Sequence, residues 1–123
     1  MNITSGALLT DLYELTMAQA YLAQGMTDIA VFEFFVRKLP PQRNFFMAAG
    51  LEQVLSYLEA FQFSDADIAW LDQTGGFRPA SLNALRAMRF TGEVHAMPEG
   101  SLFFPHEPIL RITAPLPQAQ LVE

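Results

Sequence analysis

The sequence predicts an α+β domain: helices packed on a small, mostly antiparallel sheet. Three observations lead there. Apolar residues recur at helical spacing in four stretches before residue 90. A Phe- and Val-rich run, DIAVFEFFVR, has the composition of a strand. After Phe90 the pattern changes to short β-prone runs separated by Pro-Glu-Gly and Pro-His-Glu-Pro turns, which suit hairpins and not parallel crossovers.

The first element is the one around which the chain is organised. Leu8 to Gly25, LLTDLYELTMAQAYLAQG, reads as one amphipathic helix. Leu8, Leu12, Leu15 and Leu22 form one apolar stripe, and Leu9, Tyr13, Met17 and Tyr21 form a second. Thr10 is placed to cap it, Asp11 and Glu14 favour the positive end of its dipole, and Gly25 suits a left-handed stop. Asp28 to Arg37 is the strand, and its near-continuous apolar run predicts cover on both faces. Period two puts Glu33 and Arg37 on one side of the pleat.

Tandem Pro40-Pro41 breaks the ladder before a short strand over Phe45 to Ala48. A helix follows over Gly50 to Phe61, with Leu51, Val54, Leu55, Leu58 and Phe61 on one face. Ser64 caps a shorter helix that reaches Gln73 and ends at Gly75-Gly76. Pro79 starts another, with Leu82, Leu85 and Met88 inward. Strands are predicted over Glu93 to Met97, Ser101 to Phe104 and Ile109 to Thr113. From Pro115 a further helix opens, and the chain stops at Glu123 without a helix-ending signal.

The composition bounds the chemistry. The chain has 123 residues and is 51% hydrophobic, enough for one domain with its own core. It contains no cysteine, which excludes a disulfide framework and a zinc–thiolate centre. A net charge of −6 argues against nucleic acid and anionic membrane as partners. No apolar run reaches the roughly 18 residues of a membrane helix, and MNITSG lacks the basic region of a leader peptide.

Two constellations stand out. Arg37, Lys38 and Arg43 are three of seven basic residues, gathered around a Pro-rich turn of an acidic chain. Guanidinium beside a backbone turn holds phosphate well, although a solvated hairpin tip has the same composition. Asp11 and Tyr13 sit at a helix start, where free N–H groups and a ring face can meet a flat heteroaromatic ligand. Packing of an amphipathic helix explains Tyr13 without a ligand, and helix capping explains Asp11 equally well. His95 and His106 show no ligand spacing that defines a metal site, and Glu99 and Glu107 read as solvated turn residues.

Four segments in order, LLTDLYELTMAQAY, VFEFFVRKLP, RNFFMAAGLEQVLSYL and MPEGSLFFPHEPILRITAPL, give the chain a resemblance to the N-terminal region of nicotinate phosphoribosyltransferases. It covers nearly everything from Ala7 to Glu123. It implies that residues 1–114 are the N-terminal α+β domain of a type II phosphoribosyltransferase. Residues 115–123 would then be the start of a truncated helix leading to an α/β barrel absent from this chain. It implies an ATP-coupled condensation of nicotinate with 5-phosphoribosyl 1-diphosphate, giving nicotinate mononucleotide and diphosphate for NAD synthesis, with magnesium, in a cytoplasmic homodimer whose sites lie between subunits. Tyr13 would face the base with Asp11 beside it, and Arg37 and Lys38 would serve the diphosphate end. The catalytic residues would lie in the barrel, leaving this chain alone inactive. A non-enzymatic dimerising remnant and a nicotinamide-specific relative are the alternatives.

Overall fold

A computed structural model describes residues 6–123. The first five residues, on which the leader-peptide argument rests, lie outside them. Five helices and five strands follow in the order α1 (Leu12–Ala23), β1 (Ile29–Phe34), β2 (Phe46–Met47), α2 (Leu51–Glu59), α3 (Asp65–Thr74), α4 (Pro79–Ala87), β3 (Glu93–Ala96), β4 (Leu102–Phe103), β5 (Leu110–Pro115) and α5 (Leu116–Leu121).

The strands form two antiparallel sheets. β5 is the centre of a three-stranded sheet in the order β1-β5-β3, and β2 pairs with β4 in a separate ladder. The register sets Glu33 opposite Arg111 and Phe32 opposite Ile112. Alternation then sends Phe32 and Ile112 toward the helices and leaves Ile29 and Val31 exposed. The expectation that this strand is covered on both faces is therefore corrected: only one face is packed, because every helix in contact with the sheet lies on that side. β1 also ends at Phe34, so Arg37 stands beyond the pleat.

The core is continuous from helix to helix. Leu15 and Ala18 of α1, Phe61 and Phe63 after α2, Leu71 of α3, Leu85 of α4 and Leu121 of α5 share one buried cluster. A second cluster ties the sheet to α2 and α5 through Leu58, Ile112, Ala114 and Ala119. The predicted apolar stripe of α2 is only partly used. Leu58 is buried, Val54 is half-buried and Leu55 stays exposed.

The helix ends show how local chemistry fixes the path. Ser64 accepts from the Asp67 N–H while Asp67 accepts from the Ser64 N–H, a complete capping box on α3. Pro79 starts α4, as its missing N–H and fixed φ allow. α1 departs from expectation. It begins at Leu12, two residues after Thr10, with Asp11 as the boundary residue and no side-chain cap.

Glu99 is also corrected. It is not simply solvated: its Oε2 accepts from the N–H groups of Gly50 (3.0 Å) and Leu51 (3.2 Å), capping α2 from 48 residues away in sequence. Gly50 is left-handed there, with φ 106°, and supplies no side chain of its own. Replacing Glu99 by Ala is expected to cost about 1–2 kcal/mol. Chemical denaturation of Glu99→Ala against Glu99→Gln measures it, and equal stability of Glu99→Ala and wild type would remove the cap from the account.

Candidate functional site at the mouth of the sheet–helix groove

The loop after β1 is held by the Pro105-His106 turn. The His106 N–H donates to the Val36 carbonyl at 2.8 Å, and the Ile109 N–H donates to the Phe34 carbonyl at 2.8 Å. His106 is left-handed, with φ 66°, and its ring lies 5.9 Å from that of Phe35. Glu107 closes the same turn by accepting from the Phe104 N–H at 2.7 Å, so it too is engaged and not merely solvated. These contacts pin the residues immediately before Arg37.

Arg37 lines a groove of about 600 Å³. Its floor is the packed face of the sheet, with Phe32, Leu110 and Ile112. Its walls are Val54, Tyr57 and Leu58 on α2 and Ala119 and Val122 on α5. Glu33, Arg37 and Glu123 are its charged residues, so the groove is an apolar slot with an ionic rim. Burial pushes the Tyr57 hydroxyl above its ordinary range. Lys38 is exposed and does not line the groove, and Arg43 lies over the Phe46 ring at 6.0 Å. Of the three clustered cations, only Arg37 lines the groove.

At the other side of Glu123 stands the start of α1. This helix is turned inside out. Its first charged residue, Glu14, is 4% exposed, while Leu12 is 62%, Tyr13 50% and Met17 37% exposed. Leu12, Tyr13, Thr16 and Met17 lie on one side of the helix, so both predicted stripes are split: Leu15 packs inward, and Leu12, Tyr13 and Met17 face out. The physical cause is α5, whose Gln120 gives Glu14 an amide partner at 3.0 Å and so allows the carboxylate to be buried.

Tyr13 is the group most strongly affected. The Glu14 carboxylate as hydrogen-bond acceptor, then desolvation, then the charges of Glu123, Glu14 and Asp11, push its hydroxyl up to about 12. Its ring is therefore a neutral, half-exposed phenol throughout the physiological range. Asp11 lies beside it and is exposed. Glu123 lines the groove with Arg37, and its Oε2 accepts from Gln120 Nε2 at 2.9 Å. Sequence reasoning missed Glu14, Gln120 and Glu123. A carboxylate on the inward side of α1 was the available signal for the first, but its partner is 106 residues away.

Residues 8–123 match the family described as nicotinate phosphoribosyltransferase (NAPRTase) N-terminal domain. The chain belongs to the nicotinate phosphoribosyltransferase family. It is 54% identical over 118 residues to a nicotinate phosphoribosyltransferase of Mycobacterium tuberculosis, covering 96% of this chain and 26% of that protein. It is 42% identical to the Bacillus subtilis nicotinate phosphoribosyltransferase, over 95% of this chain and 24% of the relative. A crystal structure of human nicotinic acid phosphoribosyltransferase superposes with a TM-score of 0.81 at 42% identity, covering 93% of this chain and 24% of the human one. The chain thus spans about a quarter of the length of the nicotinate phosphoribosyltransferases it matches. The α+β architecture expected from the sequence is the one seen, with its strands divided between two small sheets.

Among the described residues no helix is long and apolar enough to cross a membrane, and no three His, Asp or Glu side chains converge to hold a metal ion.

Proposed function

We propose that this chain contributes the base-facing ring and one diphosphate-facing cation of a nicotinate phosphoribosyltransferase. The whole protein would condense nicotinate with 5-phosphoribosyl 1-diphosphate, with ATP hydrolysis driving the formation of nicotinate mononucleotide and diphosphate. The observation that carries the reading is the match of residues 8–123 to the N-terminal domain of that family. In this reading residues 1–114 are that domain, and residues 115–123 open the segment leading toward a barrel.

The geometry supports roles for individual residues. Tyr13 offers a neutral, half-exposed ring, suited to stack on an electron-poor pyridine. Arg37 at the groove rim supplies a permanent cation for charge that develops on the departing diphosphate. Lys38 follows it as a second, exposed cation, and Asp11 beside Tyr13 would orient neighbouring groups. The outward apolar face of α1 is the kind of surface another protein surface covers, which supports a homodimer. The acidic, cysteine-free composition supports a cytoplasmic protein that binds neither nucleic acid nor membrane.

The chain spans about a quarter of the length of the relatives it matches, and turnover of nicotinate by this chain alone is expected to be absent. The decisive experiment grafts this chain in place of the matching N-terminal quarter of the Mycobacterium tuberculosis relative. The chimera is expected to form nicotinate mononucleotide and to prefer nicotinate over nicotinamide. In it, Arg37→Ala should lower kcat/KM by about 10²–10³-fold, whereas Tyr13→Ala should act mainly on the KM for nicotinate, by roughly tenfold. A folded chimera without product, or one indifferent to both substitutions, overturns the assignment.

A further inference from the structure

We propose that His106 is a positioning residue for Arg37: the left-handed backbone of the Pro105-His106 turn aims the His106 N–H at the Val36 carbonyl and so fixes the peptide bond that carries Arg37 to the groove rim. The proposal rests on the reading of Arg37 as the diphosphate-facing cation, and one arm of its test is independent of that reading.

The turn runs from Phe104 to Glu107. The Glu107 N–H donates to the Phe104 carbonyl at 3.3 Å across the central pair Pro105 and His106. Glu107 Oε2 accepts from the Phe104 N–H at 2.7 Å and closes the turn a second time. Proline at the second position and a positive φ, 66°, at the third are the type II pattern. Glycine is the favoured residue at that third position, and His106 is the one non-glycine residue with a positive φ among those described. A type I turn over the same four residues would keep the Phe104–Glu107 hydrogen bond but rotate the central peptide by roughly half a turn. That peptide carries the His106 N–H. Its direction toward Val36, at 2.8 Å, is therefore available only in the left-handed form. A turn that did nothing but reverse the chain would have no need of that form.

From Val36 the link to Arg37 is covalent, because the Val36 carbonyl and the Arg37 nitrogen share one peptide bond. β1 ends at Phe34, whose carbonyl accepts from the Ile109 N–H at 2.8 Å. The His106 bond carries this hold two residues further along, and the His106 ring beside Phe35, at 5.9 Å between centroids, reinforces it. Arg37 is exposed, and no salt bridge among the described residues engages its guanidinium. Its place at the rim is thus set by its backbone.

The experiment has two arms. Nitrogen relaxation is first measured on the 123-residue chain. The Val36 and Arg37 amides are expected to be as ordered as those of β1. His106→Gly, free to adopt a positive φ, should keep that order. His106→Val, whose branched side chain disfavours it, should turn the peptide and loosen Arg37 while α1, α3 and α4 stay unchanged. His106→Ala, a milder change in the same direction, decides the matter if His106→Val does not fold. The second arm uses the chimera with the Mycobacterium tuberculosis relative. There His106→Val should lower kcat/KM for 5-phosphoribosyl 1-diphosphate about tenfold, His106→Gly should restore it, and His106→Val should have no further effect once Arg37 is replaced by alanine. An Arg37 amide already mobile in the wild-type chain, order retained in folded His106→Val or His106→Ala, or effects of His106→Val and Arg37→Ala that simply add, overturns the proposal. Loss of order in His106→Val together with an inert Arg37→Ala would instead sink the reading of Arg37, and this proposal with it, so the two failures are told apart.

Discussion

Phe61→Ala is expected to lose about 3–5 kcal/mol of folding stability, the largest single loss anticipated for this domain. Phe61 is fully buried where the chain leaves α2, and it bridges two aromatic neighbours edge-on, Tyr57 and Phe63, each with ring centroids 5.7 Å away. Truncation removes the transfer free energy of the ring, the edge-to-face contacts and the support of a densely packed surround. Collapse into the gap is hindered because the neighbouring Leu71, Leu85 and Leu121 come from three different helices whose ends are fixed elsewhere. A domain of this size has only about 5–15 kcal/mol in total, so the variant should unfold at a much lower urea midpoint with little change in slope. A loss under about 1 kcal/mol would mean that the cluster closes over the cavity and that its packing is less constrained than described.

Gly92→Ala should also be severe, for the opposite reason. A Cβ at this position would meet the Thr113 carbonyl oxygen at 2.5 Å, Ala114 Cβ at 2.6 Å and Phe90 Cζ at 2.9 Å. Two of those three atoms belong to β5, the central strand, which pairs with β3 immediately after Gly92 through Glu93 and Thr113. The added methyl can be accommodated only by moving the backbone of β3 away from β5 or by displacing the Phe90 ring from the core. Overpacking of this kind costs about 1–3 kcal/mol, and the upper end is expected because backbone must move. Gly25→Ala makes the comparison: nothing lies within 4 Å of its Cβ, but its φ of 67° carries a backbone strain of order 1 kcal/mol. Thermal unfolding of the two variants separates steric exclusion from conformational strain. A Gly92→Ala melting temperature at or above that of Gly25→Ala would show that β3 can shift freely.

The local elements were readable because their signals are local. The Ser64–Asp67 capping box, Pro79 at the start of α4, Gly25 in a left-handed conformation after α1 and the β5 run all depend on residues within a few positions of one another. The four motifs that place the chain in its family are read in the same way. Of the candidate site, Arg37 and Tyr13 stood out by charge clustering and by position on a helix, with their proposed roles coming from the family resemblance, whereas Gln120 looked like an ordinary polar residue near the end of the chain.

What the sequence determined by itself is the list of elements, the α+β class and the family to which the chain belongs; the strand partners were not in it, since β3 pairs with β5 and β4 with β2 and no pair lies across the short turns. What only the tertiary structure decided is which face of each element is inward. Periodicity shows that α1 has two apolar stripes, but it cannot say that α5 will give Glu14 a buried partner and so turn Leu12, Tyr13 and Met17 outward. Nor can it say that Glu99 will cap α2 or that the His106 turn will pin the loop before Arg37. Those outcomes depend on contacts between residues far apart in the chain, whose burial costs are met only when the partner arrives.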